Sequence, residues 1–287
     1  MTSEVMLTLP GSCYAGAAMP DLTHTSRFGP LLREWRLARR LTQEALAERA
    51  EVSTRHLSFL ETGRSQASRE MALVLGNALD LPLRERNALL VAAGFAAVYR
   101  ETSLDAEPMV HVRRALDRML AQQEPYPALV LDRMWNLLRM NQGGARLFAR
   151  LFGARMPGPE VIGNLAHALF HPEGLREMIV DWPAFAALMA ARLHRDAATD
   201  PSPDGLRALR DAVLAYPGVP PALRVPALES VPPIAVAVHV RAPDGGEARI
   251  FTMLATLGTP LDVTAEELRI ELYFPLDDAS DAFLRAC

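Results

Sequence analysis

The chain has 287 residues, half of them hydrophobic and 22% charged. That length suggests two domains, and that composition excludes a wholly disordered protein. No run of about 18 uninterrupted apolar residues occurs, so a membrane-spanning helix is not expected.

The net charge of −4 is unevenly spread. Residues 27–100 carry 12 Arg against 8 acidic residues, whereas residues 101–287 carry 18 Arg against 24. All the basic residues are Arg. A positive block inside an acidic chain can mark a nucleic-acid surface. Residues 1–26 hold two acids and no base, so Val5–Leu9 lacks the charged flank of a signal peptide. We expect a disordered tail there and a cytoplasmic protein. Cys13 and Cys287 lie too far apart in sequence to suggest a disulfide framework or a zinc site.

Residues 27–94 are dense in helix signals. Phe28, Leu31, Leu32, Trp35 and Ala38 recur at helical spacing. Thr42, Ser53 and Ser68 are placed to cap three further helices, and Pro82 to open a fifth. Gly63 tolerates the left-handed turn that ends a helix. Residues 95–123 read as a linker and a connecting helix, with Val112, Leu116, Met119 and Leu120 on one side. Residues 124–287 form a second domain. Strands are expected at 128–131, 135–140, 234–241, 248–256 and 268–274. Between them come helices at 142–153, 161–180, 183–196 and 204–215, then an irregular proline-rich stretch at 217–233. Branched residues crowd 234–240, so both faces of that strand are expected to be covered. Gly143-Gly144 reads as a closely packed helix start. The order predicts an antiparallel sheet of about five strands with helices on one face, an α+β layout.

The most specific motif is TQEALAERAEVSTRHLSFLETGR at 42–64. A short helix, a tight link and a second helix make a helix-turn-helix. Small Ala47 permits close crossing; Val52, Leu57 and Leu60 fill the space between the helices. Residues 27–94, and RHLSFLETGR in particular, resemble the Xre-like repressors. That resemblance implies a lambda-repressor-like, all-α domain of five helices that binds a double-stranded DNA operator. The N-terminal end of the second motif helix should then face base edges in the major groove. The DNA-contacting candidates there are Ser53, Thr54, Arg55, Ser58 and Phe59. Arg55 suits a guanine, and Thr54 or Phe59 a thymine methyl. Phe59 also reads as a packing residue. Gln43, Arg64 and Ser65 are placed for phosphates. A small positive charge per domain points to a homodimer on a two-fold site.

The second domain carries no Gly-x-Ser-x-Gly elbow, phosphate-cradling loop or Cys-x-x-Cys, so no enzyme is expected. YPALVLDRMWNLLRMNQGGARLF at 126–148 and NLAHALFHPEGLREMIVDWPAFAALMAARLHRDA at 164–197 resemble the C-terminal domain of MmyB-like regulators. The resemblance implies a PAS-like sensor that holds a small apolar ligand, with fatty acids the favoured class. The residues themselves offer an apolar lining: Trp135, Leu137, Met140, Phe148, Phe170, Trp182, Phe185, Met189 and Phe251, with Leu169 beside them. A buried chain gains about 0.8 kcal/mol per methylene. Arg139, Asn141, His171 and Arg192 are candidates for a carboxylate head. His167 and His171 have the spacing of metal or haem ligands on one helical face, with Glu173 and Asp181 as possible third ligands. A haem or metal sensor, and a ligand-free dimerisation scaffold, are therefore alternatives.

Overall fold

The computed structural model describes residues 27–198, 205–226 and 237–287. The expected tail at 1–26, and residues 234–236 of one expected strand, lie outside them. Five helices pack around a first core: α1 (Phe28–Ala38), α2 (Gln43–Arg49), α3 (Thr54–Glu61), α4 (Arg69–Ala78) and α5 (Leu83–Ala92). The hydroxyls of Thr42, Ser53 and Ser68 accept the N–H groups of Ala45, His56 and Met71, each at 3.1 Å. Each cap satisfies a donor that the helix itself leaves unpaired. Gly63, at φ 72°, ends α3. Arg64 N–H then reaches Phe59 O at 2.9 Å and Gly63 N–H reaches Leu60 O at 3.3 Å, a Schellman closure. Leu32, Leu46, Leu57, Leu60, Leu75 and Leu89 fill the core.

Two features fix α1 against α3. A Cβ on Gly29 would lie 2.6 Å from the carbonyl oxygens of Leu60 and Glu61, so glycine alone permits this approach. Arg36 also forms a buried fork with Glu61, Nε to Oε1 at 2.6 Å and Nη2 to Oε2 at 2.9 Å. Burial pushes the Glu61 carboxyl up, but the hydrogen bonds from Arg36 and Gln43 hold it below its usual range.

The second domain begins with α6 (Val110–Gln122), followed by β1 (Ala128–Leu131) and β2 (Leu137–Met140). Helices α7 (Gln142–Phe152), α8 (Pro159–Ile162), α9 (Leu165–Phe170), α10 (Trp182–Ala198) and α11 (Leu206–Leu214) follow. The chain closes with β3 (Ala237–Arg241), β4 (Glu247–Ala255), α12 (Val263–Glu267), β5 (Arg269–Pro275) and α13 (Asp278–Arg285). The five strands form one antiparallel sheet in the order β2-β1-β5-β4-β3. Period-two alternation divides its faces. Ala128, Val130 and Ile270 pack under Leu116 and Leu120 of α6. Leu129, Leu131 and Ile250 face α7, α9 and α10 across the larger core. This is the α+β layout expected from the sequence.

Three local expectations change. The helix expected at 161–180 is broken into α8, α9 and a 3-10 turn at Leu175–Met178. Asn164 restarts the helix by accepting the N–H groups of Ala166 and His167, and Pro172 with Gly174 prevents its continuation. Strand β2 starts at Leu137 because Trp135 sits in a turn at φ 64°. Strand β3 is a sheet edge whose Ala237 and Arg241 are exposed, so both faces are not covered. Part of that edge is occupied: Val180 N–H donates to His239 O at 2.8 Å. Helices α12 and α13 are not among the elements expected from the sequence.

The domains meet at α12. Glu266 Oε2 accepts Leu83 N–H, the first of α5, at 2.6 Å. Glu267 takes Arg84 through Nε at 2.7 Å and Nη2 at 3.0 Å. Arg84 also pairs with Glu101, and Arg133 lies 3.6 Å from Glu267 and 3.7 Å from Glu85.

Candidate DNA interface and ligand cavity

The start of α3 projects Arg55 into solvent, with Thr54, Ser58 and Phe59 half-buried beside it. Ser53 is committed to its cap. The Phe59 ring lies between two cations: the guanidinium carbons of Arg55 and Arg64 stand 5.3 and 6.0 Å from its centre. Phe59 thus holds two expected DNA contacts in place through cation–π attraction. Ser65 N–H joins this end of the helix at Phe59 O, 3.2 Å away. Gln43 does not project freely toward a phosphate. Its Nε2 donates to Glu61 Oε2 at 2.7 Å, which ties the start of α2 to the end of α3.

In the second domain a cavity of about 220 Å³ opens between the helices and the inner sheet face. Leu147, Phe148 and Leu151 of α7 form one wall; Phe185, Leu188, Met189, Arg192 and Arg195 of α10 form another. Leu129, Val238, Val240, Ile250 and Leu254 supply the apolar part of the floor. The polar part is Thr252, Glu271 and Tyr273. Arg192 Nη1 donates to Glu271 Oε1 at 2.7 Å, and Tyr273 donates its hydroxyl to Glu271 Oε2 at 2.7 Å. Burial, then the adjoining Glu271 carboxylate, pushes the Tyr273 phenol well above its usual range.

Of the residues expected to line a ligand site, the cavity gathers Phe148, Leu169, Phe185, Met189 and Arg192. Trp135 is fully buried beside it, with Nε1 donating to Asp196 at 3.1 Å and Arg192 over its ring at 4.3 Å. Asn141 caps α7 and joins three segments: Oδ1 accepts from Gly144 and Ala128, while Nδ2 donates to Leu120 and Tyr126 carbonyls. Leu137 and Met140 lie on β2 outside the lining. Phe170 and Trp182 pack edge to face in the core, 6.1 Å apart. Phe251 stacks on Phe274 on the opposite sheet face. Arg139 pairs with Asp117 at 2.5 Å.

His171 ends α9, and its Nδ1 accepts Glu173 N–H at 3.1 Å. Tyr216 stands edge-on to both His171 and His167, and its hydroxyl is 2.7 Å from His167 Nδ1. Burial, then the nearby His171, lowers the His167 pKa. Among the described residues, no three His, Cys, Asp or Glu side chains are grouped to hold a metal ion.

Residues 112–286 match the MmyB-like transcription regulator ligand binding domain, over more than half the chain. The chain belongs to the MmyB-like transcription regulators. Residues 27–89 of this MmyB-like regulator match a helix-turn-helix domain, the region of the five-helix core. The two matches together make the protein a DNA-binding transcription regulator with a ligand-sensing domain. No curated protein matches the chain. Among solved structures, that of an RNA-binding light-oxygen-voltage receptor is similar at 14% identity and a TM-score of 0.25. That likeness covers 91% of this chain but only 62% of the receptor chain. Among the described residues no helix is long and apolar enough to cross a membrane.

Proposed function

We propose that this MmyB-like regulator binds a two-fold operator as a homodimer and changes its DNA affinity when a fatty acid occupies the second domain. The observation that carries this reading is the cavity, whose wall is apolar apart from a few polar residues, Arg192, Arg195, Thr252, Glu271 and Tyr273. Its volume of about 220 Å³ is below the ~300–1,000 Å³ of common small-molecule pockets, which favours a slender chain. Met189 and Leu188 on α10 adapt to such a shape. About ten buried methylenes give roughly 8 kcal/mol before ordering costs, enough for useful affinity.

Coupling follows from connectivity. Strand β5 carries Glu271 in the cavity floor, and α12 immediately precedes it. Glu266 and Glu267 of α12 hold α5 of the DNA-binding domain. A ligand that binds one position of β5 better than another shifts the populations of two domain arrangements.

The test is to record the visible spectrum of the purified protein, denature it, extract it with organic solvent and analyse the extract by mass spectrometry. A stoichiometric fatty acid with no visible absorbance is expected. A haem band, or a stoichiometric ligand without an acyl chain, would overturn the fatty-acid assignment.

A further inference from the structure

We propose that Arg195 takes the carboxylate head of an amphipathic ligand whose chain lies in the cavity. The proposal rests on the ligand-sensing reading above. Phe185, Leu188, Met189, Arg192 and Arg195 follow one another along the cavity side of α10. Their spacing of three or four residues keeps them on one helical face. At 1.5 Å per residue, Phe185 and Arg195 are separated by about 15 Å along the axis. The wall therefore runs from an apolar end to a cationic end.

The two arginines differ in what they have left to give. Arg192 is committed. Its charge is matched by Glu271, which is 2% exposed, and its guanidinium lies 4.3 Å from the centre of the Trp135 ring. Its Nη2 is buried with no hydrogen-bond partner, and the indole face below compensates it through cation–π attraction. A ligand carboxylate at Arg192 would stand against the buried Glu271 anion, at a desolvation cost that a shared cation does not offset. Glu271 in turn has both oxygens occupied, by Arg192 and Tyr273.

Arg195 is the reverse case. It lines the cavity, it is exposed to solvent, and among the described residues it has no carboxylate or carbonyl partner. A head group placed there stays partly hydrated while its chain leaves water. A neutral head gains nothing from the charge. The ligand class is thus a long-chain carboxylate, oriented with its methyl end toward Phe185.

The experiment measures binding of dodecanoate and dodecanol to the full chain by calorimetry, for the native protein and for Arg195→Gln and Arg195→Lys. Dodecanoate is expected to bind more tightly than dodecanol, on the order of fivefold, because the pair is solvent-facing. That preference should shrink at 1 M salt. Arg195→Gln should abolish the preference and leave dodecanol affinity unchanged, which also reports an intact fold; Arg195→Lys should restore it. If Arg195→Gln keeps the preference, or the native protein favours dodecanol, the head-group assignment fails and the cavity reading stands. If the native protein binds neither probe, both fail.

Discussion

Arg55 stands exposed one residue into α3, and Phe59 braces it from one turn further along. Arg55→Ala is therefore expected to weaken specific binding by about 1–3 kcal/mol and to relax base preference at one position per half-site. A binding-site selection reads both effects, and unchanged preference would remove Arg55 from the interface. Phe59→Ala should cost less, about 0.5–1 kcal/mol for each arginine it releases. Arg36 and Glu61 carry a stability prediction. Removing Arg36 with Arg36→Leu leaves a buried carboxylate uncompensated, at about 3–5 kcal/mol, measurable by urea unfolding. The Glu61 carboxyl lies below its unfolded value in the native state. Its contribution is thus complete above the ordinary carboxylate range and is lost as pH falls through the depressed folded value. Unfolding free energies measured from pH 7 downward should show this loss in the native protein and not in Glu61→Gln. The sequence marks the exposed face of α3 clearly, because Leu57 and Leu60 fix which way the helix turns. It gives no such marker for Arg195, Glu271 or Tyr273. In β5 the alternation of Ile270, Glu271, Leu272 and Tyr273 is visible, yet only packing decides that the Glu271–Tyr273 face looks into a cavity rather than into water.

Elements with strong end signals are the ones legible from sequence. Thr42, Ser53, Ser68 and Gly63 bound their helices as their chemistry requires. The 161–180 segment is less legible because its apolar residues keep a helical period across Asn164, which restarts a helix from within. Two glycines hold element crossings that no periodicity reports. Gly29 is one, and Gly29→Ala should push α1 from α3 and destabilise the first domain by about 1–3 kcal/mol, as overpacking does. A Cβ on Gly143 would lie 2.4 Å from Pro125 O, in keeping with a closely packed start of α7. Thermal unfolding of Gly29→Ala checks the prediction; an unchanged midpoint would show that α1 and α3 can separate freely.

At the scale of the whole molecule the two domains meet through charge. Arg84 is shared by Glu267 and Glu101, and Arg133 by Glu267 and Glu85. Glu267 occupies the centre of this set. Glu267→Ala is expected to leave the affinity for dodecanoate unchanged while reducing the effect of dodecanoate on DNA binding. Equal coupling in native and variant protein would place the communication elsewhere, for example along α6, which covers the outer face of β1 and β5. The sequence separates the two domains by composition and motif, but it cannot show that α12 joins them. That helix is five residues long, and its acidic pair reads as an ordinary solvated stretch until Leu83 and Arg84 are placed beside it. The most direct test is the affinity of the full chain for a duplex recovered by selection, measured by fluorescence anisotropy with and without dodecanoate, after calorimetry has shown the cavity filled. A change of about 5–150-fold is expected, the range of ordinary coupling energies. An identical DNA affinity with the cavity occupied would contradict it.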